Sequence, residues 1–297
     1  ERRVQNFYGV RCDPTLPYQD GFKPPFEGGD GKSSKAADQV PISRRNFIEL
    51  CEQLTLEDEK HFEALWRQLG LSIDWSQTYQ TISPDAQAVS QKAFLNNLSR
   101  GEAYQAMAPT LWDVTFRTAV AQAELEDRDQ PGAYHRIGFD GPDGKIFIET
   151  TRPELIPACV ALVAHPDDER YQPMFGKTVK TPLFGVEVPV LAHHLAQKDK
   201  GSGIAMICTF GDVTDVIWWR ELDLPNRAIL GWDGRIISEA PDVISDAKGK
   251  EIFAQLAGKT VFSAKQTMVE LLTASGDMVG DPKPITHPVK FFEKGDK

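Results

Sequence analysis

Ala133-Tyr-His-Arg-Ile-Gly-Phe139 and Lys145-Ile-Phe-Ile-Glu-Thr-Thr151, joined by Asp140-Gly-Pro-Asp-Gly144, mark the point where the pattern of the chain changes. Both flanks are short β-like runs, and the linker holds two glycines and a proline, so the stretch predicts a hairpin with a Gly-rich loop. Downstream the same style continues. Residues 159–164, 186–191 and 204–208 are apolar runs punctuated by Gly and Pro, and 229–237 carries a second turn at Trp232-Asp-Gly234. Helix is predicted for a short stretch from Pro153, for 212–224 and for 261–275. Short strands mixed with a few helices predict an α+β domain, a barrel-like sheet with surrounding helices.

Upstream of the hairpin the signals are helical. Residues 13–42 read as a loop, with Pro24-Pro25 and Gly28-Gly-Asp-Gly-Lys-Ser-Ser-Lys35. Thr55-Leu-Glu-Asp58 offers a helix cap with an acid three residues on, and Phe62, Leu65, Trp66 and Leu69 follow at helical spacing before Gly70. Ser83-Pro-Asp85 opens a second helix that is expected to run to Gly101. Two domains are therefore expected, a mainly helical one over 1–125 and the α+β one over 126–297.

Composition bounds the function. The 297 residues are 41% hydrophobic and 26% charged, which fits a folded soluble protein. A formal net charge of −10 argues against a general nucleic-acid coat but leaves room for a local basic track. Cys12, Cys51, Cys159 and Cys208 form no Cys-x-x-Cys pair, so neither a zinc ribbon nor a disulfide framework is expected. No apolar run approaches the roughly 20 residues that cross a bilayer. A soluble protein of the reducing cytoplasm is expected, and the absence of Met at position 1 reads as a piece of a longer chain.

Two motifs carry chemistry. Glu149-Thr-Thr-Arg-Pro-Glu154 closes a predicted strand and opens a helix at Pro153, so free backbone N–H groups and two hydroxyls would converge there on an oxyanion or a ribose. A plain capped helix explains the same residues. Gly201-Ser-Gly-Ile-Ala-Met-Ile-Cys-Thr-Phe-Gly-Asp-Val-Thr-Asp215 leads a strand into a helix whose first turn carries Asp212 and Asp215 on one face, suited to an ammonium group and a water or hydroxyl. Asp is also favoured at helix starts for local reasons alone. Gly31-Lys-Ser33 lacks the leading glycine and strand of a P-loop, and Lys32-Ser-Ser-Lys35 is not a KMSKS loop.

In this order the motifs resemble the editing domain inserted into the catalytic domain of class I aminoacyl-tRNA synthetases of the valyl, isoleucyl and leucyl kind. Thr150 to Glu154, then Ala164-His-Pro-Asp-Asp-Glu-Arg-Tyr171, then the Gly-x-Gly strand with Asp212 and Asp215, follow the family pattern at its separations. The run from Met206 to Trp219 is similar to the archaeal-type branch of the valyl enzymes. Leu69-Gly-Leu-Ser-Ile-Asp-Trp75, Tyr79, Gly101, Tyr104, Pro109 and Trp112 resemble the part of the class I catalytic domain that leads into the insertion.

The resemblance implies that 1–125 belongs to the class I catalytic domain and 126–297 to the editing domain. It implies hydrolysis of the ester of a mischarged Thr-tRNA(Val), within an enzyme that ligates valine to tRNA(Val) using ATP. Asp212, Asp215, Thr150 and Thr151 would be catalytic, with Asp215 anchoring the α-ammonium and Asp212 orienting the substrate hydroxyl or the water. Arg152, Glu154, Met206, Cys208, Thr209 and Phe210 would bind the substrate. No metal and no cofactor are expected for editing; ATP and Mg belong to the parent enzyme, at a site outside this chain, since none of the six histidines makes a His-x-Gly-His. The expected partner is the 3′ end of tRNA(Val) carrying the wrong amino acid, with no membrane and a monomeric parent. Leu155, Met206, Cys208 and Phe210-Gly211 depart from the commoner bacterial pattern of Thr, Lys, Thr and Ala-His, so no lysine role is carried over. The rival readings are an isoleucyl-type editing domain and a non-catalytic tRNA-docking module. A glycosidase pair would sit on opposite cleft walls, not on one helical turn.

Overall fold

The computed structural model describes residues 1–26, 38–115, 117–210 and 213–293. The chain divides into two compact units, Glu1–Ala108 and Pro109–Lys297. The domains expected from sequence meet at 125/126, whereas residues 109–125 pack within the second unit. There β3 (Trp112–Asp113) pairs with β4 (Thr118–Ala119), counting after the two strands of the first unit, and Trp112 Nε1 donates to the Trp232 carbonyl at 3.0 Å.

The first unit holds α1 (Arg2–Tyr8), β1 (Val10–Cys12) parallel to β2 (Val40–Ile42), α2 (Arg44–Gln68) and α3 (Pro84–Ser99). Its core is small: Val4, Tyr8, Val10, Ile42, Phe47, Leu50 and Leu54. The expected start of a helix at Thr55 is corrected. Ser43 caps α2, its Oγ accepting from Asn46 N at 3.2 Å, and nothing between there and Gln68 breaks the helix. Thr55 lies mid-helix and its hydroxyl donates back to the Cys51 carbonyl, the alternative open to a threonine inside a helix. The helix after Ser83-Pro84 forms as expected, capped by Ser83 Oγ on Ala86 N. The stretch Gly31 to Lys35 lies outside the described residues.

In the second unit a seven-stranded mixed sheet runs in the order β10–β7–β9–β8–β5–β11, with β6 paired to β5. The strands are β5 (Leu125–Gly141), β6 (Gly144–Thr150), β7 (Ala161–Ala164), β8 (Thr178–Lys180), β9 (Glu187–Ala192), β10 (Ile204–Ile207) and β11 (Lys283–Phe292). The β5–β6 hairpin is tighter than its Gly-rich linker predicts, because Gly141 pairs with Gly144 and only Pro142 and Asp143 turn. β5 is long because it serves three partners: Leu125 to Tyr134 pair with β11, His135 to Gly141 with β6, and Asp140 meets Lys180 of β8. The second turn, around Trp232, makes a single bridge between Leu230 and Ile236 rather than paired strands.

Helices α4 (Val213–Glu221), α5 (Ala247–Ala254) and α6 (Val261–Ser275) surround this curled, half-barrel sheet, so the expected fold class holds. Alternation along β5 sends Ile137 and Phe139 to the core face with Ile146 and Ile148 of β6, all buried, alongside Phe184, Phe253 and Met268. α6 packs over a 3-10 turn at Pro153–Ala158. Among the described residues, no helix is long and apolar enough to cross a membrane.

Candidate functional site

β6 delivers Thr150, and the chain then turns. The Thr150 hydroxyl accepts from Arg152 N at 3.0 Å, which closes the turn before Pro153. The helix expected at Pro153 is only a six-residue 3-10 segment with Pro157 inside it, so it offers no full helix terminus for an anion. Every residue of that segment is buried. Glu154 is wholly buried, with Oε1 taking Arg152 Nε at 3.2 Å and Oε2 without a partner. Thr151 is half-buried.

The second motif arrives from another strand. β10 runs antiparallel to β7, with Met206 opposite Leu162, and it packs across β6. Cys208 follows in the core. Thr209 then takes φ of 63°, and Phe210 N donates to the Cys208 carbonyl at 2.9 Å, which makes a γ-turn. A β-branched residue in this region is strained by about 1–3 kcal/mol and persists only when its surroundings hold it. Arg227 supplies the hold: its backbone N–H donates to Thr209 Oγ1 at 3.2 Å, and its guanidinium donates to the Cys159 carbonyl. The Thr209 hydroxyl is thus engaged by backbone, and Phe210 packs edge-on against Trp219 at 5.1 Å. Asp215 sits in the first turn of α4 and is 9% exposed. Asp212 lies outside the described residues.

The two motifs meet at Cys208. Burial pushes its thiol well up, and the charges it feels are those of Asp215, Arg152 and Glu154 beside the Cys159 thiol, itself pushed to about 12 by burial. Both thiols are therefore protonated at neutral pH and offer no nucleophile. What the site presents is a carboxylate from a helix start, an Arg152–Glu154 pair and the Thr150 hydroxyl around an apolar floor. Among the described residues, no three His, Cys, Asp or Glu side chains converge to hold a metal. A groove of about 400 Å³ lined by Tyr134, Arg136, Phe147, Glu149 and Lys283 opens on the other face of β5 and β6, where Arg136 and Lys283 both face Glu149.

The stretch from His165 to Tyr171 has a scaffolding part to play. Arg170 makes two bonds to Asp168, 2.8 and 2.6 Å, and a third to the Lys198 carbonyl, while Tyr171 OH donates to the Ser202 carbonyl at 2.7 Å. This clasp holds the turn that launches β10. Gly203 sits inside it at φ of 80°, where a Cβ would meet the Arg170 guanidinium and lie 2.7 Å from the Lys198 carbonyl. We expect Gly203→Ala to destabilise the domain by about 2–4 kcal/mol, a melting-point drop of roughly 5–12 °C by circular dichroism. An unchanged melt would show that the clasp yields freely.

Comparison with known proteins follows the same residues. The family of tRNA synthetases class I (I, L, M and V) matches residues 31–273. The chain belongs to this class I tRNA synthetase family. A valine–tRNA ligase of Leifsonia xyli subsp. xyli is 79% identical over 297 residues, covering 100% of this chain and 34% of that protein. One from Thermobifida fusca is 68% identical over 299 residues, covering 100% of this chain and 33% of that protein. The chain thus spans about a third of the length of the curated relatives it matches. These relatives are bacterial, so they lend the archaeal-type expectation no support. A solved LeuRS–tRNA–LeuAMS ternary complex from Agrobacterium radiobacter K84 overlaps with a TM-score of 0.37 at 15% identity, over 85% of this chain and 40% of that one, a likeness too loose to carry an argument.

Within this class I synthetase chain, the amino-acid sequence singles out Asp168 and Arg170 only as part of a motif and not as a clasp, and it does not single out Arg227 or His135, which lies directly opposite Thr150 in the β5–β6 register. For His135 a signal existed. Alternation through Ile137 and Phe139 places position 135 on the buried face, and a histidine there is 6% exposed.

Proposed function

We propose that this chain carries the editing site of a valyl-tRNA synthetase, which hydrolyses the ester of a threonine wrongly attached to tRNA(Val). The observation that supports it is that Cys208, at the end of β10, shares one buried core with Leu155 and Ile156, which directly follow Arg152-Pro-Glu154, in a chain closely similar to valine–tRNA ligases. The longer enzyme would ligate valine to tRNA(Val) with ATP and Mg, as a monomer in the cytoplasm. Threonine nearly matches valine in shape, and an apolar synthetic pocket rejects an added hydroxyl by only about a hundredfold. A second site that accepts threonine makes up the difference. Hydrolysis there needs a placed water, a donor for the oxyanion and an anchor for the ammonium group, and neither a metal nor a covalent nucleophile.

In this reading Asp215 holds the α-ammonium and Asp212 orients the threonine hydroxyl or the water. Thr150, Thr151 and Arg152 hold the terminal adenosine and its ester, while Met206, Cys208 and Phe210 shape the apolar wall. Thr209, its hydroxyl taken by Arg227, pins the turn between strand and helix. The test is hydrolysis of Thr-tRNA(Val) against Val-tRNA(Val) by the full-length enzyme. We expect Thr-tRNA(Val) to be cleaved far faster, and Asp212→Ala to narrow the gap, because a group that reads the hydroxyl is lost. Equal, negligible rates on both esters would leave a docking module without catalysis. An Asp212→Ala enzyme with both rates unchanged would return Asp212 to a helix cap.

A further inference from the structure

His135 is a buried polar group beside the site that the chemistry above does not use. It stands opposite Thr150 in the antiparallel register of β5 and β6, so the two side chains share the core face with Cβ atoms roughly 5 Å apart. Its neighbours on that face, Ile137 and Ile148, are apolar and fully buried. The ring is 6% exposed and its Nδ1 has no hydrogen-bond partner. A buried imidazole nitrogen left unpaired is costly, and in native proteins such atoms are kept for a reason.

The hydroxyl facing it is half committed. A threonine hydroxyl has one proton to donate and two lone pairs to accept with. One lone pair of Thr150 takes Arg152 N–H. The direction of the proton decides what the oxygen offers to a ligand.

We propose that His135 is a positioning residue of this site: on substrate binding its Nδ1 takes the hydroxyl proton of Thr150 in a hydrogen bond, leaving the Thr150 oxygen one lone pair aimed at a hydrogen-bond donor of the substrate. That donor is a ribose hydroxyl of the terminal nucleotide or the attacking water, both of which carry an O–H. Hydrogen bonds of this kind are often long in the empty site and tighten when the reacting groups are bound. The inference rests on the editing reading of the site.

Burial and the nearby Lys265 of α6 both hold the ring below the ordinary histidine range, so it is neutral at neutral pH, and in its Nε2–H tautomer Nδ1 accepts. Of the charges on the elements packed around it, Lys265 is the one that registers at the ring; the facing positions of β6, Ile148 and Thr150, carry none. When pH falls through that lowered value the ring gains a proton, and Nδ1 turns from acceptor to donor. The Thr150 oxygen is then occupied by two donors and its own proton points at the substrate, the wrong polarity.

The experiment compares hydrolysis of Thr-tRNA(Val) by the full-length enzyme with His135→Phe, His135→Asn, Thr150→Val and the His135→Phe/Thr150→Val double variant, across pH. Phe suits the apolar face but accepts nothing, so kcat should fall about tenfold with KM unchanged. Asn places an acceptor near the Nδ1 position without titrating, so it should keep kcat within about threefold and lose the acid limb expected of the wild type as pH falls through the lowered histidine value. The double variant should be no worse than Thr150→Val, because the two side chains act as one unit. Should His135→Phe fail to fold, the pH profile of His135→Asn decides alone. A His135→Phe enzyme with wild-type kcat and acid limb, an Asn variant that keeps the limb, or additive losses in the double variant would overturn the proposal. If Thr150→Val is silent in an otherwise active enzyme, the proposal falls while the editing reading stands; if the wild type hydrolyses no ester, both fall.

Discussion

Asp215→Ala is expected to reduce hydrolysis of Thr-tRNA(Val) by roughly thirty-fold to several thousand-fold while leaving the domain folded. The range follows from what loss of a buried partner costs a charged group, about 2–5 kcal/mol, with each 1.36 kcal/mol worth a factor of ten. Asp215 is 9% exposed at the first turn of α4, so water screens it little, and its carboxylate registers at both buried thiols of the apolar floor. Truncating a carboxylate there removes charge rather than apolar packing. A chemical counterpart isolates the role. Acetylating the α-amino group of the esterified threonine removes the positive charge, so the wild type should lose activity on that substrate by a similar factor. The Asp215→Ala enzyme should treat the acetylated and free esters alike. If the variant still prefers the free amine, the ammonium is held elsewhere.

Arg152→Met should cost about 3 kcal/mol of stability, a melting-point drop of roughly 6–12 °C for a domain of this size. Glu154 is wholly buried and, among the described residues, its hydrogen bond is to Arg152 Nε, so the variant leaves a buried carboxylate with neither oxygen paired. The figure sits at the low end for a broken buried pair, because Arg152 is 36% exposed and its fork reaches water. Glu154→Gln keeps an acceptor for Nε and should cost about 1 kcal/mol. Combined in one chain, the two changes remove both charges, and stability should recover by at least half of the Arg152→Met loss. Activity should not recover, since the guanidinium that would hold the terminal nucleotide is still missing. Strictly additive melting shifts would show that the two residues are not coupled in the fold.

The succession of motifs is legible in the amino-acid sequence itself. Ser83-Pro84 announces its helix, α6 covers the predicted 261–275 between Thr260 and Gly276, and the run through Met206 and Cys208 into Asp215 forms a strand, a turn and a helix. These are local signals, carried by caps, turns and periodicity among near neighbours in the chain. Local signals also mislead where two compete. Thr55 has the makings of a cap, yet Ser43 lies upstream with no breaker between, and the propagating helix absorbs Thr55.

Other features have no local signal at all. Lys283-Pro-Ile-Thr-His-Pro-Val-Lys-Phe-Phe292 holds two prolines and buries no residue, and it becomes β11 because the first half of β5 offers it an edge, where missing N–H groups are tolerated. The solitude of Glu154 Oε2, the engagement of the Thr209 hydroxyl by Arg227 and the placing of His135 against Thr150 likewise come only with the fold. Sequence by itself determined which elements form and which residue types stand at their ends, because those are settled within a few residues along the chain. Tertiary structure alone decided which strands pair, which charges are buried and which motifs share one site, because burial and pairing are properties of residues that are distant in sequence and adjacent only in space.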